Sequence, residues 1–161
     1  VVWSSLYRTE FLNLNNQIFT PGILLVDGDF TVRSYLKARK VLTTNYTDYQ
    51  YRIRPGSILT SNNAKRMSES EEIIIKKFIN ELSITTSDKI SNILKKAIYS
   101  FMRDWTRILV KNNVRLNRTI SCFEDGLVKT KSVRSSRPIK EKLKFNIKVF
   151  IIKIKNIKIY L

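Results

Sequence analysis

Pro21-Gly22-Ile23-Leu24-Leu25-Val26-Asp27-Gly28 and, further on, Tyr51-Arg52-Ile53-Arg54-Pro55-Gly56-Ser57-Ile58-Leu59 are the two segments from which the fold is read. The first is a short apolar run closed by Asp-Gly, a dipeptide that suits a tight turn because glycine tolerates positive φ at no steric cost. The second alternates Arg52 and Arg54 with Tyr51 and Ile53, the period-two pattern of a strand with one cationic and one packing face. It runs into Pro55-Gly56, where proline presets one turn angle and glycine supplies the other. The pattern predicts a strand, a turn and a second strand. In a chain of 161 residues with net charge +17, such a unit points to a grip on a polyanion.

These segments resemble the S4 RNA-binding fold as it occurs in the small-subunit ribosomal protein S4 family. There a helical pair precedes a segment close to G-x-x-x-V-N-G and a strand ending close to V-K-P-G-D-x-I. Gly22 with Leu25-Val26-Asp27-Gly28 fits the first motif, and Ile53-Arg54-Pro55-Gly56-Ser57-Ile58 fits the second. Upstream, Leu6-Tyr7-Arg8 and Phe11 fit the family's first helix, V-Y-R-x-x-F. The resemblance covers Val1 to Asn62. It implies early binding to small-subunit rRNA at a helix junction, support of assembly and a place near the mRNA entry path. It also makes Arg8, Arg52 and Arg54 phosphate contacts.

The chain departs from the family in several places. Val1-Val2-Trp3 replaces the opening Arg-Leu-Asp, Asp27 replaces the usual Asn, and Ser57 replaces the usual Asp. The segment matching the basic second helix, Asn13 to Thr20, carries no Arg or Lys. An insertion near residues 30–48 brings Arg33, Lys37, Arg39 and Lys40, candidates to take over that RNA contact. The family has a segment before this module, so a truncated or split version is expected here.

Thirty Lys and Arg face thirteen Asp and Glu, with no His. Such an excess points to nucleic acid or an anionic surface. From Lys129 to Leu161 there are eleven Lys and Arg and one acid, so long-range attraction to phosphate concentrates there. Cys122 is the only cysteine, which excludes an intrachain disulfide; between Ile120-Ser121 and Phe123 it reads as a small buried residue. No stretch approaches the roughly 20 apolar residues of a membrane span, and no signal or transit pattern is visible. Heavy use of Ile, Lys and Asn, with little Gly and Pro, is the bias of an AT-rich genome. A protein made inside an organelle needs no transit peptide, so a mitochondrion is the expected location, with a plastid as the alternative.

Residues 63–128 read as helical. Ser68 and Glu71 form a candidate capping box before Ile73, Ile74, Ile75, Phe78, Ile79 and Leu82. A second helix starts near Ser87 or Asp88, with apolar residues from Ile90 through Leu94, Ile98, Met102 and Trp105 to Leu109 at three-four spacing. Lys89, Lys95, Lys96, Arg103, Arg107 and Lys111 fall mainly on its other faces. Two readings stay open: a core helix with a solvated cationic side, or a helix laid against rRNA or a neighbouring protein. Asn112-Asn113 gives a stop.

Residues 129–161 form a basic extension. Lys129, Lys131, Arg134 and Arg137 are interleaved with small residues. The segment to Lys144 has no apolar face and is expected to be disordered alone, either an extended strap along RNA phosphates or a solvated linker. The β-branched run from Phe145 through Ile147, Val149 and Ile151 to Ile159 is expected to form one or two strands.

No catalytic constellation coheres. The usual neutral-pH base is absent without His, Cys122 has no partner for a dyad or a zinc site, and the four glycines form no phosphate loop. Asp27/Asp29 and Glu124/Asp125 are candidate Mg²⁺ pairs that loop solvation explains more simply. Tyr46, Tyr49 and Tyr51 either stack on bases or pack.

The expected fold is α+β: an S4-like module over 1–62, a helical region over 63–128 and a basic extension over 129–161. No cofactor, membrane, small-molecule substrate or enzymatic activity is expected. The expected partners are small-subunit rRNA, neighbouring ribosomal proteins and mRNA near its entry path. Two alternatives are an RNA-modifying enzyme that carries an S4-like module and an organellar assembly subunit whose basic tail meets protein or lipid.

Overall fold

Val26, Asp27 and Gly28 open a helix in the computed structural model instead of closing a hairpin. The structure describes residues 2–45, 49–50, 52, 55–57, 63–114 and 120–156. Among these residues every regular element is helical and no strand forms, which overturns the α+β expectation. The chain divides into two compact units, Val1–Asn63 and Ala64–Leu161.

The first unit holds a 3-10 turn (Val2–Ser4), α1 (Thr9–Leu14) and α2 (Val26–Lys37). The tight turn lies upstream of Asp27-Gly28, at Pro21-Gly22, where Gly22 takes φ +79. Asp27 and Asp29 then stand in the first turn of α2, where the partial positive charge of the helix N-terminus favours them. The segment 15–20 is not a second helix: α1 ends at Leu14 and Asn16 turns the chain at φ +47. Phe30 of α2 is the buried centre, with Phe19 stacked at 4.6 Å and Tyr7 edge-on at 5.3 Å. The second expected turn stands, since Pro55-Gly56 is a turn with Gly56 at φ +73. Tyr51, Ile53, Arg54, Ile58 and Leu59 of the expected strand lie outside the described residues.

The second unit is built on α3 (Ala64–Ile84) and α4 (Asp88–Lys111). The short Thr85–Ser87 link makes them an antiparallel hairpin. Ser87 caps α4, its hydroxyl accepting from the Ile90 amide at 3.4 Å, and the helix ends at Asn112 with Asn113 at φ +54. The three-four periodicity of α4 is thus realised: Leu94, Ile98, Met102, Trp105 and Leu109 are buried against Ile74, Ile75 and Phe78 of α3. α5 (Ile120–Lys129) packs on both helices, and α6 (Lys131–Ser135) and α7 (Ile139–Asn156) pack on α4. Gly126 of α5 faces Met102, whose sulfur would lie 2.7 Å from an added Cβ, so its lack of a side chain permits the approach.

Ser68 and Glu71 lie inside α3, not at its start. They share its inner face with Ile75 and Phe78, which is why they are buried. Ser68 Oγ accepts from Trp105 Nε1 at 2.7 Å and ties the base of α3 to the end of α4.

The basic extension is helical, which corrects both the strap and the strand. Among the described side chains of α7, Phe145 and Ile152 are buried; they stand seven apart, two helical turns, and Phe145 meets Tyr99 at 5.6 Å. The alternating pattern that reads as a strand has no sheet to join. Its partner is the side of α4, which takes one residue in three or four. Ile157 and Ile159 lie outside the described residues.

Candidate nucleic-acid interface

Burial of one face of α4 forces its cations outward in a line. At 100° per residue, Lys89, Lys96, Arg103, Arg107 and Lys111 cluster about one side of the helix, opposite Leu94, Ile98 and Trp105. All five are exposed. Over the helical rise the stripe is about 33 Å long. Asp104 lies beside it, 3.2 Å from Arg107 and 3.8 Å from Arg103. Exposed pairs of this kind are worth little and leave the stripe cationic.

α7 extends the stripe sideways. Lys148 is held below the ordinary lysine value by partial burial first, then by Arg107, with Lys144 and Arg103 acting the same way and Asp104 opposing. Four cations therefore share one electrostatic neighbourhood with one carboxylate. A polyanion placed there would relieve their mutual repulsion.

The residues expected to hold RNA separate into two groups. Arg8, Arg39, Lys40 and Arg52 in the first unit, and Lys129 and Lys131 in the second, are exposed. Arg33 is instead a brace. Its Nε and Nη2 donate to buried Asp29 at 3.1 and 2.9 Å and Nη2 donates to the Ile18 carbonyl at 2.7 Å, while Thr20 donates to the same carboxylate at 2.6 Å. Lys37 reaches the Asn15 carbonyl at 3.2 Å. Arg134 is a second brace. It donates to the Leu127 carbonyl at 2.7 Å and lies over Phe145 at 5.8 Å, and burial lowers its pKa with Tyr99 partly offsetting. Arg137 is half-buried with its guanidinium over Tyr99 at 5.2 Å. Arg54 lies outside the described residues.

Asp29 is committed to Thr20 and Arg33, and Glu124 lies 3.9 Å from Lys153. Among the described residues no group of three His, Cys, Asp or Glu is placed to hold a metal ion, and no helix is long and apolar enough to cross a membrane. Tyr49 stacks on Trp3 at 4.3 Å; Tyr46 and Tyr51 lie outside the described residues. Cys122 is buried, as its neighbours predict, and burial pushes its thiol up to about 11, with Glu72 adding.

Sequence reasoning placed the α4 cations on the polar face but did not assign them as contacts. Their spacing of seven, seven, four and four was the available signal. It read Glu71 as half of a capping box and missed its burial: 3% exposed, one carboxylate oxygen without a partner, and pushed up to about 9 by burial and then by Asp104. No protein-family model matches the chain, and no curated protein or solved structure is significantly similar to it.

Proposed function

We propose that this chain is a structural, RNA-binding constituent of a ribonucleoprotein, the small subunit of a mitochondrial ribosome, and that it acts by holding rRNA and not by catalysis. The exposed cationic stripe of α4, widened by Lys144 and Lys148 of α7, carries the reading. A rigid row of cations matches a phosphate backbone in charge and in length, and binding there releases counterions. The net charge of +17 supports a polyanionic partner. The resemblance of residues 1–62 to the S4 motifs supports small-subunit rRNA as that polyanion. Because α2 stands where that family has a hairpin, the contacts are assigned to exposed helix and loop cations: Arg8, Arg39, Lys40 and Arg52 in the first unit, the α4 and α7 stripe in the second.

Fluorescence anisotropy with a labelled small-subunit rRNA fragment, repeated across salt concentrations, tests this. Seven stripe cations engaged on phosphate give a log–log slope of about −5 to −6. A slope near zero contradicts the reading.

A second reading rests on a different surface. Ile139, Leu143, Ile147 and Phe150 of α7 are exposed and recur along one side of the helix. That stripe favours a protein neighbour, as an assembly subunit would have. Association that persists after nuclease treatment distinguishes it.

A further inference from the structure

Arg137 and Lys96 come from elements far apart in sequence, yet they line one open cleft of about 440 Å³ between α4 and the α6–α7 junction. Asn92, Ser132, Val133, Ser136 and Pro138 complete the lining, and among the described residues no carboxylate is part of it. Four features set this cleft apart from a scatter of surface charge.

The Arg137 guanidinium is held against the Tyr99 ring at 5.2 Å, so its fork is oriented before any ligand arrives. Lys96 supplies a second, mobile cation from the α4 stripe. Asn92 and Ser132 offer neutral donors and acceptors of the kind that bind sugar hydroxyls and phosphate oxygens, while Ser136 Oγ donates to the Val133 carbonyl at 2.8 Å and keeps only its acceptor side for a ligand. Finally, α7 starts here. Its first internal bonds run from the Glu141 and Lys142 amides to the Pro138 carbonyl, so the Ile139 and Lys140 amides have no partner within the helix. Amides at a helix start add positive potential beside the two cations.

We infer that this cleft is a phosphodiester seat that takes one nucleotide of a bound RNA strand, with Arg137 and Lys96 clamping the phosphate and Asn92 and Ser132 facing the ribose. The inference rests on the RNA-binding reading and deepens it: the strand that follows the α4 stripe is anchored at this end. RNA is favoured over a lipid headgroup because the seat continues into a linear row of cations. Tyr99 is buried under Arg137 and does not stack on a base. Recognition is therefore of backbone, without base preference.

The test uses the full chain and a labelled 20-nucleotide single-stranded RNA. The double variant Lys96→Gln/Arg137→Gln is compared with the charge-matched Lys65→Gln/Arg66→Gln, which alters exposed cations at the start of α3 outside the cleft. The cleft variant is expected to bind at least about tenfold more weakly, with a salt slope shallower by about two, while the α3 variant keeps the native slope. Acetylation footprinting of the unaltered protein gives an independent readout, with Lys96 protected by RNA and Lys65 not. Equal losses in the two variants, or no protection of Lys96, overturn the seat while RNA binding stands. No RNA binding by the unaltered chain removes both the seat and the reading it rests on. Binding instead to vesicles containing phosphatidylglycerol, lost in the cleft variant, also overturns it and assigns the cleft to lipid.

Discussion

Glu71 is the residue whose chemistry is most displaced by the fold. Burial keeps its carboxyl protonated up to about 9 against an ordinary 4.5. At pH 7 the folded protein therefore holds a proton that the unfolded chain has released. Below pH 4.5 both states are protonated and nothing is lost. As pH rises from there towards 9, this group costs about 1.4 kcal/mol of stability per pH unit. Glu71→Gln, neutral at every pH, lacks that slope. Urea unfolding at pH 5 and pH 8 is expected to show the Gln variant gaining on the native protein at the higher pH. A constant difference means that Glu71 is ionised or solvated in the fold.

Its neighbour on the helix face gives a second prediction. Ser68→Ala leaves the buried Trp105 N–H without an acceptor and is expected to cost about 1–3 kcal/mol, read by the same unfolding experiment. A Ser-x-x-Glu pattern ahead of an apolar run reads as a cap because the apolar run begins only after it. Ala64-Lys65-Arg66-Met67 are good helix formers, and they carry α3 backward past the pair. The buried cysteine was legible at the same scale, because small size beside an aromatic residue is a packing signal that needs no tertiary knowledge.

Among the elements, α4 was legible from end to end. A serine cap, ten apolar positions at helical spacing and an Asn-Asn stop all point one way. α7 was not. Isoleucine, valine and phenylalanine at this density satisfy a strand pattern as well as a helical one, and intrinsic preference favours the strand. The decision came from outside the segment, from the flank of α4 that accepts Phe145 and Ile152. Asn146, exposed and mid-helix, tests it. Asn146→Ala is expected to stabilise by about 0.5 kcal/mol and Asn146→Pro to cost about 3 kcal/mol. A strand here would gain nothing from alanine. The same logic explains α2: Asp-Gly serves a hairpin turn or a helix start equally, and Pro21-Gly22 had already taken the turn.

For the whole molecule, charge is the property that the fold organises. Opposition of the α4 cations to its apolar face was present in the sequence, so the stripe could be read there. The meeting of Lys96 with Arg137, the crowding of Lys148 by Arg103 and Arg107, and the diversion of Arg33 and Arg134 into bracing could not, because each depends on helices packed across long separations. Composition counts a cation without saying whether it is spent on a carbonyl or left for a ligand. The triple variant Arg103→Gln/Arg107→Gln/Lys148→Gln is expected to lower the salt slope of RNA binding by about three, with unfolding stability unchanged or raised as repulsion is relieved. The loss of Arg33 is expected to act the other way, destabilising the first unit by removing the guanidinium that neutralises buried Asp29 while leaving that slope in place.

Sedimentation of a native mitochondrial lysate through a density gradient at low and moderate salt, with this chain followed by mass spectrometry, tests the proposed function most directly. Co-migration with the small ribosomal subunit that survives moderate salt is the predicted result. Migration with membranes, or within a complex free of rRNA, contradicts it.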